Sequence, residues 1–294
     1  MKILLTGKNG QLGFELQRAL APLGAVVAVD SAECDLSNEK ALRQLLSETE
    51  PDVIVNAAAY TAVDKAEAQP EVAQAVNARA PAIMGEFAKA HGAIVVHYST
   101  DYVFGGEGDQ PHTESDPTGP LNAYGQSKLD GESALAAAVP EHLIMRTSWV
   151  VGAKGHNFAR TMLDLAQSRD ELKVVSDQWG APTSAALLAD LTAMLLRDAT
   201  RDRQHFPFGL YHVTASGATN WCDYARFVIE HARREGVALK ALPENVLAIP
   251  SEAYPTAARR PKNSRLDCSH FESTFGLKLP GWQAGLTHIL QQIV

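Results

Sequence analysis

An α/β fold built on a doubly wound parallel sheet is predicted by three observations. Short apolar runs alternate with helix-patterned segments through the first half of the 294 residues. The runs are continuously apolar, the pattern of strands covered by helices on both faces. A glycine-rich turn joins the first run to the first helix. In such sheets ligands bind at the carboxyl ends of the strands.

Residues 2–6 read as the first strand. Residues 11–23 follow as a helix, with Leu12, Leu16 and Leu20 at helical spacing. Residues 25–29 are a second strand, 38–47 a second helix and 52–56 a third strand. Residues 71–90 are helical, with Val72, Val76, Ile83 and Phe87 on one face. Pro81 predicts a break there, with the main helix starting near Ala78. Gly92 ends that helix and residues 93–97 form the fourth strand. A helix over 122–138 and a strand over 142–147 complete the series.

Beyond Val150 the rhythm loosens. Residues 157–167, 183–196 and 219–234 read as helices, and 209–213 as a strand. Residues 249–264 carry Pro250, Pro255 and Pro261 and read as an ordered loop. No internal repeat or low-complexity tract is visible.

Length and composition bound the function. At ~150 residues per domain the chain predicts two domains, or one with a grafted lobe. Hydrophobic residues make up 46% and charged residues 20%, enough for a packed core. A net charge of -8 without a basic block disfavours nucleic acid and anionic membranes as partners. Cys34, Cys222 and Cys268 are scattered, which fits a reducing compartment without a disulfide framework. No apolar run approaches the ~20 residues of a membrane span. The first apolar stretch is too short for a secretion signal, so a cytoplasmic address is expected.

Gly7-Lys8-Asn9-Gly10-Gln11-Leu12-Gly13 lies between the first strand and the first helix. One glycine permits the tight turn, another lets a pyrophosphate approach, and the third lets the helix pack closely. Free N–H groups at the helix start then face the phosphates. Asp30 ends the second strand, where a carboxylate accepts hydrogen bonds from an adenosine ribose. It favours NAD over NADP, Lys8 in the loop is placed to offset that preference, and the choice between the two stays open. Asp35-Leu36 either flanks an adenine or precedes the second helix as a cap. Ala57-Ala58-Ala59 gives small side chains beside a cofactor or simply close helix–sheet packing. The expected division is a dinucleotide-binding domain over 1–150 and a mainly substrate-binding lobe over 151–294, with some later segments returning to the first sheet.

Tyr124 and Lys128 are four residues apart on a helix and share a face. Ser99-Thr100-Asp101 ends the fourth strand and points at the same crevice. This set suits carbonyl reduction. Tyrosine supplies a proton but has an ordinary pKa of ~10. A neighbouring ammonium stabilises the tyrosinate and draws that value toward neutrality. Lys128 also reaches a nicotinamide ribose, and Thr100 orients the substrate oxygen. No metal is required.

These motifs, with Tyr98–Phe104 and Asn122–Lys128, resemble the extended short-chain dehydrogenase/reductases. Asn56–Asp64, Arg146–Val150, Tyr254-Pro255-Thr256 and Arg260–Leu266 are similar to the dTDP-4-dehydrorhamnose reductase family within them. The resemblance runs nearly the whole chain and implies a Rossmann-like sheet with a smaller C-terminal substrate-binding lobe. It implies reduction of the C4 ketone of dTDP-6-deoxy-L-lyxo-4-hexulose to dTDP-L-rhamnose, with NADPH and often NADH. By motif position, Gly7, Gly10, Gln11, Leu12, Gly13, Asp30, Asp35, Leu36, Ala59, Tyr60, Thr61, Tyr124 and Lys128 face the cofactor. Thr100, Asp101, Trp149, Val63, Asp64 and Arg260 face the sugar nucleotide. Trp149 makes sense as a flat wall for a pyranose or base, or as a core tryptophan. Arg260 pairs a diphosphate, or belongs with Arg259 to a solvated surface pair.

Some members of that family hold Mg²⁺ through glutamates at a homodimer contact. Glu15 matches one of them, but Ala185-Ala186 stands where the second would fall. A metal-bridged dimer is therefore not expected, and Glu15 reads as a solvated helix residue; the resemblance leaves a homodimer open. Two other readings compete. One is another nucleotide-sugar ketoreductase or epimerase; a dehydratase is disfavoured because Tyr102, not glutamate, follows Thr100-Asp101. The other is a non-catalytic NADP-binding module, similar to a regulatory subunit of methionine adenosyltransferase. The intact Thr100, Tyr124 and Lys128 argue for catalysis.

Overall fold

A computed structural model describes residues 1–294. Six parallel strands form the central sheet: β1 (Lys2–Thr6), β2 (Ala25–Val29), β3 (Val53–Asn56), β4 (Ile94–Thr100), β5 (His142–Thr147) and, from late in the chain, a strand at Gly209–His212. Their order is Gly209–His212, β5, β4, β3, β1, β2. The late strand pairs with β5, Gly209 opposite Leu143.

Helices cover both faces. On one lie α1 (Gln11–Leu20) and a helix at Ala185–Arg201; on the other lie α2 (Glu39–Thr49), a helix at Ala80–His91 and one at Ala123–Ala138. Alternation along β1 divides the two cores. Ile3 and Leu5 join Leu16, Val55, Val96 and Leu188. Leu4 joins Leu42, Leu46, Ile54, Val95 and Ile144 on the opposite face.

Local chemistry sets several helix ends. Asn38, Asn122, Asn157 and Asn220 each cap a helix, accepting from an amide three residues on. Gly92, at φ 69°, ends the Ala80–His91 helix in the left-handed conformation, as expected.

Pro81 does not break the chain's course as predicted. Short helices α3 (Val63–Ala68) and α4 (Pro70–Gln74) lead into a π-turn at Ala75–Arg79, which runs on into α5 (Ala80–His91). Proline has no N–H to offer the preceding turn, and the wider π-turn absorbs that loss. The Asn77 carbonyl lies so near Gly131 that a Cβ there would stand 2.0 Å from it. The fourth strand also continues past His97 to Thr100, so Tyr98, Ser99 and Thr100 are buried strand residues.

The remaining elements are α6 (Ala123–Ala138), β6 (Val150–Val151), α7 (Phe158–Ser168), β7 (Leu172–Val175), β8 (Trp179–Gly180), β9 (Thr183–Ser184), α8 (Ala185–Arg201), β10 (Gly209–His212), β11 (Thr219–Asn220), α9 (Trp221–Arg234), β12 (Val246–Ile249), α10 (Ser269–Phe275) and α11 (Trp282–Ile293). A separate core joins α7, α9, α11, β7 and β12 through Met162, Val174, Tyr224, Val228, Ile229 and Leu286. The short pairs β7–β12, β6–β9 and β8–β11 were not predicted. The 249–264 loop is ordered, with Trp179 N donating to Lys262 O at 2.8 Å. All three cysteines are free. No helix is long and apolar enough to cross a membrane.

Candidate active site

Three segments meet at the carboxyl ends of β1, β3 and β4, where the strand order reverses. The glycine turn is the first. Gly7 has φ 76°, and a Cβ there would stand 2.8 Å from Ala58 N. A Cβ on Gly13 would stand 2.0 Å from the Gly7 carbonyl oxygen. Both positions demand glycine. Gly10 occupies the cap position without a side chain, so the first amides of α1, at Gln11, Leu12 and Gly13, have no capping acceptor. A bare helix start behind a glycine cradle fits a diphosphate.

The side chains around that turn are differently employed. Gln11 accepts from Gly152 N at 2.8 Å and Asn157 Nδ2 at 3.1 Å, clamping the turn to the second lobe. Leu12 is buried in the core. Asp30 accepts from Asn9 Nδ2 and from Ala32 N. Lys8 is not free to offset it, because its ammonium sits 2.5 Å from Glu33. Glu33, which sequence reasoning missed, also accepts from Asp30 N at 2.9 Å. Asp35 is a turn residue that accepts from Ser37 N and Oγ; the cap of α2 is Asn38. Leu36 is buried against the sheet with Leu4 and Val29. Its side chain serves packing there.

The second segment carries Ala59, Tyr60 and Thr61. Asn77, inside the π-turn, fixes it by accepting from Tyr60 N at 2.8 Å and donating to Tyr60 O at 3.1 Å. The same amide donates to Ser127 Oγ on α6 at 3.0 Å. Val63 and Asp64 open α3 just beyond.

The third segment is the end of β4 facing the start of α6. Thr100 Oγ1 donates to Asp101 Oδ1 at 3.0 Å and accepts from Tyr102 N at 3.2 Å. Asp101 is buried beneath it, and its Oδ2 has no partner. Burial pushes its carboxyl up to about 6, against the Ser264 and Thr100 hydroxyls. Asp101 thus supports Thr100 and does not open onto the crevice as expected.

Asn122 starts α6 and donates to Arg259 O at 2.8 Å, tying the helix to the 249–264 loop. Tyr124 follows, its ring edge-on to Tyr102. Lys128, one turn further, is buried and donates to Tyr98 O at 2.6 Å. Its Nζ lies 3.2 Å from His97 Nε2. Burial pushes Lys128 down to about 8, with the Glu132 charge opposing. Burial pushes Tyr124 up to about 12, opposed by the Thr100 hydroxyl. The expected fall of the tyrosine pKa toward neutrality is therefore not found: the ammonium bonds to β4, and desolvation of the phenol dominates.

A cavity of about 1160 Å³ lies between Asp64, Leu121, the second lobe and the 249–264 loop; Thr100, Tyr124 and Lys128 are not among its lining residues. Phe158, Met162 and Trp221 form its apolar side, and Arg259, Arg260 and Lys262 its cationic side. Trp149 is not on this wall. It stacks on Trp221 at 3.7 Å between ring centres, with a positive φ of 47°, and a Cβ on Gly180 would stand 2.7 Å from its ring. The flat surface expected of Trp149 is presented to the cavity by Trp221. Arg260 is neither free nor part of a solvated pair. Its guanidinium grips Asp64 across the cavity, at 2.7 and 3.2 Å. That pairing holds the Asp64 carboxyl below its usual range.

Glu15 is less solvated than expected. Its side chain is 12% exposed and lies 3.4 Å from Arg18 Nε. No group of three or more His, Cys, Asp or Glu side chains is arranged to hold a metal ion.

The RmlD substrate binding domain family matches residues 1–294. The dTDP-4-dehydrorhamnose reductase of Escherichia coli K12 is 52% identical over 100% of this chain and 98% of its own. The enzyme of that name from Burkholderia thailandensis is 47% identical over 96% of each. Among solved structures, the dTDP-4-dehydrorhamnose reductase of Clostridium acetobutylicum superposes with a TM-score of 0.89 at 38% identity, covering 99% of each chain. The Bacillus anthracis dTDP-4-dehydrorhamnose reductase, solved with NADP, gives 0.90 at 33% identity over 99% of each.

Proposed function

The chain belongs to the RmlD substrate binding domain family, and from that premise we propose how its residues perform the family's reaction. The reaction is the reduction of the C4 ketone of dTDP-4-dehydro-6-deoxy-L-mannose, giving dTDP-L-rhamnose, with NADPH or NADH. The observation that carries the assignment of roles is the convergence of Thr100, Tyr124 and Lys128 on the crevice beside the glycine turn. The cofactor domain is residues 1–150, joined by β10 and α8; the lobe of α7, α9 and α11 forms the substrate side.

The reduced nicotinamide, when bound, supplies a hydride to the C4 carbonyl carbon. The glycine turn holds the diphosphate on the first amides of α1, and Asp30 takes the adenosine ribose. Lys128 has a donor left for the nicotinamide ribose. Tyr124 gives its phenolic proton to the C4 oxygen, and Thr100 hydrogen-bonds the same atom to orient it. Trp221 and Phe158 take the apolar face of the nucleotide sugar. Arg260 exchanges Asp64 for the diphosphate of the substrate.

The direct test follows nicotinamide absorbance with the 4-keto sugar, NADPH and NADH separately, and identifies the product. Oxidation that yields dTDP-L-rhamnose supports the reading. Cofactor binding without turnover would favour the non-catalytic module.

Two substitutions test individual roles. Asp30→Ala removes the carboxylate that opposes a 2′-phosphate. Its expected effect is a shift of the NADPH/NADH ratio of kcat/KM toward NADPH, roughly tenfold for each 1.4 kcal/mol of repulsion removed. An unchanged ratio would show that Asp30 does not read the ribose. Arg260→Ala removes a charged, bidentate donor worth about 1.5–3 kcal/mol. KM for the sugar nucleotide should rise roughly ten- to hundredfold with NADPH binding unchanged. Equal losses toward both ligands would take Arg260 out of the substrate site.

A further inference from the structure

A buried polar chain crosses the sheet beneath the crevice. The Thr6 hydroxyl, at the end of β1, is 2.6 Å from the Asn56 amide on β3. The Nδ2 end of that amide is 3.0 Å from His97 Nδ1 on β4, and His97 Nε2 is 3.2 Å from Lys128 Nζ on α6. All four residues are at most 2% exposed. Nothing in the roles assigned so far uses His97, yet it is an ionisable side chain inside the core against a catalytic lysine.

We propose that His97 is a positioning residue for Lys128, a neutral imidazole whose bare Nε2 accepts from the ammonium. An ammonium has three N–H donors and no lone pair. Tyr98 O takes one and His97 a second, so one remains for the crevice. Acceptance at Nε2 places the ring proton on Nδ1, which requires the Asn56 amide turned end for end, its oxygen accepting from Nδ1 and its nitrogen donating to Thr6 Oγ1. The two ends of an amide have the same shape, and the Thr6 hydroxyl both donates and accepts, so the chain closes. Burial, and then the Lys128 charge, hold His97 well below the usual imidazole range, which keeps it neutral. Lys128 is the charged group that faces His97; Glu132 is the one that faces Lys128 from α6. The chain also fixes β1, just ahead of the glycine turn, to the helix carrying Tyr124.

This inference rests on the catalytic reading of Lys128, so its test has one arm free of turnover. In the ¹⁵N-histidine NMR spectrum of the whole protein, one of the ten histidines should have its proton on Nδ1 and a bare Nε2. That signal should not titrate through the ordinary imidazole range and should be absent in His97→Gln. A proton on Nε2 at neutral pH overturns the proposal, whether or not the variants fold. The kinetic arm compares His97→Leu with His97→Gln. Loss of the acceptor disfavours the charged lysine, so the alkaline limb of the kcat/KM profile should move to lower pH in the leucine variant. Its kcat should fall about ten- to hundredfold with KM for NADPH little changed. Glutamine restores an acceptor and should restore the limb. Identical profiles for the two variants overturn the proposal. A parent protein inactive on every 4-keto sugar would refute the functional reading and leave the NMR result standing.

Discussion

Tyr124→Phe should retain NADPH binding and lose roughly 10²–10⁴ of turnover, the usual worth of a positioned acid. The substitution removes one oxygen and leaves the ring that packs edge-on against Tyr102. The phenol is protonated throughout the working pH range, because burial has pushed it up to about 12. It is therefore a proton donor at rest, and the difficulty lies in the phenolate that forms as the proton leaves. Lys128, pushed down to about 8 by burial, is the available cation. Its charged form is lost as pH rises through that value, so kcat/KM should fall on the alkaline side. Steady-state kinetics with cofactor binding measured separately check the prediction. A Phe variant running at the parent rate would mean that another group donates the proton.

The legible parts of this site are those encoded in short spacings. Gly7, Gly10 and Gly13 recur every three residues because one turn must satisfy three local demands. Tyr124 and Lys128 are read from a single helical turn. Both therefore stood out before any tertiary contact was known. What escaped are partnerships across long separations. Arg260 meets Asp64 from 196 residues away, and Lys128 meets His97 from 31. No local pattern announces either pair. His97 left only a faint signal, a polar ring directly after the apolar run Ile94–Val96, where a buried polar group must find partners. The sequence left Trp149 open as a wall or a core tryptophan and did not single out Trp221, for a related reason. A tryptophan's value as a wall depends on which face its neighbours leave open, and Trp149 is covered by Trp221. The strands β7 and β12, of four residues each, lie far apart in the sequence and meet as a parallel pair over the second core. The π-turn before Pro81 shows the opposite failure: a correct local rule, that proline disrupts a helix, was met by a local change in winding.

Removal of either partner of the Glu132–Arg146 pair should destabilise the protein by about 3–5 kcal/mol, the cost of stranding a buried charge. Glu132 lies one helical turn beyond Lys128 on α6, and Arg146 lies on β5 beneath it. Their side chains are 4% and 5% exposed and share two close contacts, at 2.7 and 2.9 Å. The remaining surroundings offer little compensation. Arg146 sits over the Phe104 ring, 5.1 Å from its centre, and His212 lies 3.5 Å away. Burial and the adjacent guanidinium push His212 down to about 3, so it is neutral beside the intact pair. Arg146→Met therefore leaves Glu132 without its bonded partner, with Lys128 as the cation that still faces it, and Glu132→Leu leaves Arg146 without its carboxylate. The double variant strands neither, and its loss should be smaller than the sum of the two singles. Urea unfolding of the three variants measures this coupling. Strict additivity would mean that the two charges are satisfied independently. The same pair bonds α6, which carries Tyr124 and Lys128, to β5, so each single variant should also lose turnover beyond its unfolded fraction. Recovery of stability without activity in the double variant would separate the two roles, because methionine and leucine fill the space but do not fix the helix by directional bonds.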